Sequence, residues 1–219
     1  MAFLDGDGNT PKLRAVIPEA GMILMDRVGQ VDLGEAIGGE NDAKKWKMRD
    51  RDILCILRSL CESMQQMHEK HIIHCDLKRD NVVVKRQWKT TSTSTGRYEY
   101  EVSIIDFGLA GEAYTYCTFN FGDDDWKSVL QKHPWMAPET VTGGFLTPAT
   151  DVCGLGHVIC RLSKAKYATG DTLADRFPLL KEIAEECKDI KKEPEERPTV
   201  QHVLDVIEFY LEKFYEAEM

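Results

Sequence analysis

The chain has 219 residues, 42% hydrophobic and 9% aromatic, enough for one sizeable domain or two small ones around a substantial core. Its formal charge of -9 and pI near 5.2 exclude a general binder of nucleic-acid backbones or anionic membranes, which would repel it at long range. Seven cysteines, odd in number and never spaced C-x-x-C, exclude a disulfide framework and a zinc site and fit a reducing cytosolic or nuclear setting.

Residues 1–12 read as a flexible N-terminus, with no apolar stretch long enough for a signal peptide. Within it, "DGDGN" (5–9) opens like a calcium loop, but Thr10 stands where the turn glycine belongs and Val16 where the bidentate acid belongs, which excludes that ion. Residues 13–28 predict two short strands split by a turn at Pro18 and Gly21. From Arg51 to Lys70 the apolar positions Ile53, Leu57, Leu60, Met64 and Met67 follow a 4-3-4-3 spacing, one stripe of an amphipathic helix.

"NVVVK" (81–85) and "VSIID" (102–106) predict a strand pair joined by a polar Thr/Ser-rich stretch with a solvated tip. Residues 107–150 show no sustained period and predict one long ordered loop with short turns. "VCGLGHVICRL" (152–162) is apolar on nearly every side, a buried helix whose two glycines admit close neighbours. Two amphipathic helices follow, around Leu179, Leu180, Ile183 and Cys187, and along Val203, Ile207, Tyr210 and Phe214, separated by the prolines of "EPEERPT". The order defines an α-rich α+β chain, and no window approaches the 18 apolar residues of a membrane span.

"HCDLKRDN" (74–81) lies where the first long helix gives way to a strand, and Asp106 closes the partner strand, so the hairpin is expected to gather Asp76, Lys78, Asn81 and Asp106. Asn81 and Asp106 are hard oxygen donors suited to Mg²⁺ beside phosphates. Lys78 adds a point charge, and Asp76 is a proton acceptor for a hydroxyl nucleophile. Together they suit phosphoryl transfer.

HCDLKRDN, then IIDFGLA, then WMAPE, in that order, resembles the eukaryotic protein kinases. The likeness covers roughly residues 13–215 and extends to "DVCGLGHVI", which opens with Asp151, and to "ERPT". The resemblance implies a kinase-like fold: 13–28 as the last small-lobe strands and hinge, 29–219 as the large lobe. It implies an ATP- and Mg²⁺-dependent serine/threonine kinase acting on proteins, with Asp76 and Lys78 catalytic and Lys78, Asn81 and Asp106 on the nucleotide, the last two through metal. Met25 would stand near the gatekeeper place, the backbone from Asp26 to Val28 would contact adenine, and Asp32 would reach the ribose. His74, Phe107, Gly108, Glu139, Asp151 and Arg197 would be structural, with Arg197 pairing Glu139. His74 also reads as an ordinary packed core histidine, Lys78 as a solvated surface lysine, and Asp151 as a plain helix N-cap.

The chain departs from the family pattern in several places. No G-x-G-x-x-G and no phosphate-gripping strand lysine precede residue 13, and losing one such donor is expected to cost on the order of 3 kcal/mol or more in the barrier. Residues 13–24 would then be a strand pair with an unpaired edge, open to association. Cys75 replaces the arginine that clamps a phosphorylated loop, so phosphorylation at Tyr114, Thr115, Tyr116 or Thr118 is not expected to switch the protein on. Lys132 and His133 stand where a small hydroxyl residue is usual, and the span from Asp151 to Arg197 is short. The alternative is a weak or inactive kinase-like module that binds a partner kinase or scaffold.

Overall fold

The computed structural model describes residues 10–37, 46, 48–90, 96–119, 125–163 and 172–217. In chain order the elements begin β1 (Leu13–Ile17), β2 (Met22–Met25), β3 (Val31–Asp32), α1 (Leu33–Ile37), α2 (Asp50–Glu69), β4 (Ile72–Ile73), β5 (Val82–Thr90), β6 (Gly96–Ile104) and β7 (Gly111–Glu112). Helices complete it: α3 (Trp126–Lys132), α4 (Pro138–Thr142), α5 (Pro148–Ser163), α6 (Leu173–Arg176), α7 (Pro178–Cys187) and α8 (Val200–Ala217). The chain divides into two compact units, Met1–Lys70 with Arg79–Ile105, and His71–Lys78 with Asp106–Met219.

In the first unit β1 and β2 form the expected hairpin, with Ile17 opposite Met22 and Gly21 at φ 61° closing the turn. Val16, Met22, Ile23, Leu24 and Met25 are all exposed. The helix stripe predicted at Ile53, Leu57, Leu60, Met64 and Met67 is buried throughout, and α2 lays it against β6 of the sheet ordered β3-β5-β6.

The β5–β6 ladder is longer than expected, running from Val82 opposite Ile104 to Thr90 opposite Gly96. Cross-strand pairs hold the polar part in register: Trp88 meets Tyr98 edge-on at 4.9 Å, and the Arg86 guanidinium lies 4.4 Å from the Tyr98 ring. The tip expected to be solvated, residues 91–95, lies outside the described residues.

In the second unit α5 is the central post, packed by α6, α7, α8 and β4. Val152, Leu155, Val158, Ile159 and Leu162 are buried, as an all-round apolar helix requires. Ile73, Cys75, Ala113, Cys117 and Leu146 form a second buried cluster. The segment expected to be one loop contains α3 and α4, seven and five residues, too short for a hydrophobic period to register. The stripe along α7 also differs: Leu180, Ala184 and Cys187 are buried while Leu179 is exposed. On α8 the expected Val203, Ile207 and Tyr210 are buried and Phe214 is half-buried. Among the described residues no helix is long and apolar enough to cross a membrane.

Candidate functional site

The loop after β4 is drawn tight by a carboxylate 77 residues further on: the backbone N–H groups of His74 and Cys75 donate to Asp151 Oδ2 and Oδ1, each at 2.8 Å. Asp151 is therefore not the cap of α5, because that helix begins at Pro148, a residue pre-shaped for the first turn, which leaves the Asp151 carboxylate for the loop. The two bonds hold Cys75 in the left-handed region at φ 64°, a conformation that costs a non-glycine residue on the order of 1–3 kcal/mol. Cys75 itself is buried in the Ile73–Leu146 cluster, and burial followed by the nearby Asp151 charge pushes its thiol well above the usual range.

Asp76 is buried, and its carboxylate accepts from two side chains. Lys78 Nζ lies 2.8 Å from Oδ2, and the indole N–H of Trp135 donates to Oδ1 at 2.6 Å. The backbone N–H of Asp76 donates to His74 Nδ1 at 3.2 Å, and the His74 ring packs on Phe107 with centroids 4.9 Å apart. Asp106 is exposed and left-handed at φ 63°, with the N–H of Gly108 donating to its Oδ1 at 3.4 Å. Elsewhere in the same unit Arg197 grips Glu139 with two N–H groups at 2.6 and 2.9 Å and donates a third bond to the Ala149 carbonyl at 3.2 Å. Burial works against the Arg197 charge, yet the Glu139 carboxylate outweighs it and raises the guanidinium pKa further.

The second unit thus brings together His74, Asp76, Lys78 and Asp151, places Phe107 against His74, and pairs Glu139 with Arg197. Asp106 and Gly108 also belong to the second unit, while Met25, Asp26, Val28, Asp32 and Asn81 fall in the first. Met25 is exposed on β2, and Asp26 forms a two-point ion pair with Arg14, whose hydrogen bonds hold its carboxyl below the usual carboxylate range. Val28 is half-buried, and Asp32 Oδ1 accepts from the Glu35 N–H at 2.8 Å at the start of α1. Asn81 is buried, and its carbonyl accepts from the N–H of Ile105. Among the described residues no three His, Cys, Asp or Glu side chains form a metal cluster. The Asn81 amide and the Asp106 carboxylate each offer the hard type of oxygen donor that suits Mg²⁺.

One residue was missed by sequence reasoning: Trp135, in the quoted "WMAPE", touches Asp76 across 59 positions. An indole is a donor only, and a tryptophan next to a motif is a signal that a buried acceptor needs to be found for it.

A family model described as protein kinase domain matches residues 18–208. Over 130 residues the chain is 30% identical to myosin light chain kinase 3 of Homo sapiens, covering 58% of this chain and 13% of that protein. It is 24% identical over 204 residues to a probable serine/threonine-protein kinase of Dictyostelium discoideum, covering 87% of this chain and 20% of that protein. Myosin light chain kinase 3 of Danio rerio is 29% identical over 138 residues, 62% of this chain and 16% of the relative. The chain spans a fifth or less of the length of these curated relatives. With the motifs in order, an α+β fold and a match over most of its length, the chain belongs to the protein kinase domain family.

Proposed function

We propose that the chain carries the catalytic half of an ATP-dependent serine/threonine protein kinase, with Asp76 accepting the proton of the attacking hydroxyl and Lys78 neutralising charge on the transferred phosphoryl group. The observation that carries this reading is the Asp76–Lys78 pair, 2.8 Å apart on a loop strapped to α5 by Asp151. Holding both groups in place before substrate arrives removes an entropic cost from the barrier. Asn81 and Asp106 are the proposed metal donors; Mg²⁺, which protein kinase domains use with ATP, would neutralise the phosphate oxygens. Met25, Asp26, Val28 and Asp32 are the proposed adenine and ribose side of the site. The serine/threonine preference rests on the L-K-x-x-N form of the loop and on the similarity to a probable serine/threonine-protein kinase of Dictyostelium discoideum. A protein substrate and a cytosolic or nuclear location go with this reading.

A second reading, a kinase-like module that docks on a partner kinase or scaffold, is favoured by the exposed apolar residues of β1 and β2. Transfer of labelled phosphate from ATP to a mixed protein substrate separates the two. Asp76→Asn, which keeps shape but loses the base, is expected to reduce the rate by at least about a hundredfold. Equal incorporation by wild type and variant would leave the docking module as the better account.

A further inference from the structure

We infer that Trp135 is a positioning residue for Asp76, its indole N–H and the Lys78 ammonium clamping the two carboxylate oxygens so that the proton acceptor presents one fixed orientation. The inference rests on the proposed function, and on a contact that no motif assigns.

A carboxylate turns freely about its last bond, because that torsion has broad wells. One donor on one oxygen leaves the turn only partly constrained; a donor on each oxygen stops it. Lys78 supplies the first at 2.8 Å and Trp135 the second at 2.6 Å. The two differ in kind. Lys78 sits on a flexible stem and is drawn by any phosphate that arrives, whereas the indole has one N–H, no acceptor and two torsions. Trp135 is therefore the donor that stays when Lys78 turns to a nucleotide.

Its ring is itself held. His133 meets it edge-on with centroids 5.3 Å apart, His157 of α5 does the same at 6.0 Å, and Lys78 Nζ lies 4.9 Å from the ring centre. The backbone turn that delivers it is closed by the Met136 N–H on the His133 carbonyl at 3.0 Å. A rigid ring on one side and the Asp151-strapped loop on the other fix both ends of the Trp135–Asp76 bond.

The test has two arms. In a ¹⁵N-labelled chain the four tryptophans give separate indole signals, and Trp135→Phe identifies one of them by its loss. That signal is expected downfield and slow to exchange, and Asp76→Asn is expected to move it and speed its exchange while the other three stay. In kinetics, Trp135→Phe keeps an aromatic ring and removes the donor. It is expected to lower kcat by about tenfold to a hundredfold, the scale of a misplaced catalytic group, with KM for ATP unchanged. In an Asp76→Asn background the same change is expected to cost nothing more. An indole signal indifferent to Asp76→Asn overturns the inference, as does a loss carried by KM or one that adds in full to that of Asp76→Asn. Should the chain show no Asp76-dependent transfer, the proposed function falls, and the indole signal alone decides on the contact.

Discussion

A buried ion pair is held by two effects that nearly cancel, and Arg197 with Glu139 is such a pair. The Arg197 side chain is 1% exposed and that of Glu139 8%, so both charges have left water. Their mutual bonds, plus the one to the Ala149 carbonyl, recover that loss only while both partners are present. Arg197→Met should therefore lower stability by about 3–5 kcal/mol, because Glu139 is left charged and unpaired. Adding Glu139→Leu should return most of it, to within about 1 kcal/mol of wild type, because an apolar pair of similar bulk has no charge to desolvate. Urea denaturation of the three proteins decides this. A single variant as stable as wild type would mean that water reaches the pair. The exposed Arg14–Asp26 pair is the contrast: its geometry is as good, but solvent screens it, and Asp26→Asn should change the urea midpoint far less.

At the scale of the element, α5 serves two neighbours from two faces. Asp151 and Gly154, three residues apart, lie on one face. Asp151 holds the N–H groups of His74 and Cys75, and Gly154 lets the Leu77 carbonyl come closer than any Cβ would allow. Gly156 turns toward α7, where an added Cβ would lie 2.6 Å from Cys187 Cβ and 2.7 Å from the Ala184 carbonyl oxygen. Two effects oppose in Gly156→Ala. Helix propensity gains about 1 kcal/mol, while the overlap costs about 1–3 kcal/mol because backbone cannot swing aside as a side chain can. The clash should win, and the thermal midpoint should fall by a few degrees. A raised midpoint would show that α7 slides away freely and that α5 is not the tight post described above.

Across the whole molecule, what could be read from the sequence is what repeats or what is local. The α2 stripe was legible because five buried positions share one period, and the β1–β2 turn because Pro18 and Gly21 mark it. The outer half of β5–β6 was not, since Arg86, Trp88, Tyr98 and Tyr100 stabilise it through cross-strand contacts that a polar-looking stretch conceals. The residue types of the 74–81 loop were legible, but the Trp135–Asp76 bond was not, because no spacing encodes where a loop 59 residues away will return. The cysteines carry a consequence of the same kind, one that follows from burial rather than pattern. Burial pushes the thiols of Cys153 and Cys187 from the ordinary 9.0 up to about 12, and that of Cys75 higher still. A raised pKa in the folded state favours folding fully while the unfolded thiol keeps its proton, below about pH 9. That contribution is lost as pH climbs from 9 toward 12, where only the unfolded chain ionises. Each such thiol should steepen the decline by up to about 1.4 kcal/mol per pH unit. Growing net negative charge acts in the same direction on a chain that starts at -9, so wild type alone cannot apportion the effect. Cys153→Ala with Cys187→Ala separates them, since it removes both thiols and leaves the rest of the charge. Its urea midpoint should start lower, from lost packing, yet fall less between about pH 8 and about pH 11 than that of wild type. Parallel curves for the two proteins would assign the alkaline loss to charge repulsion instead.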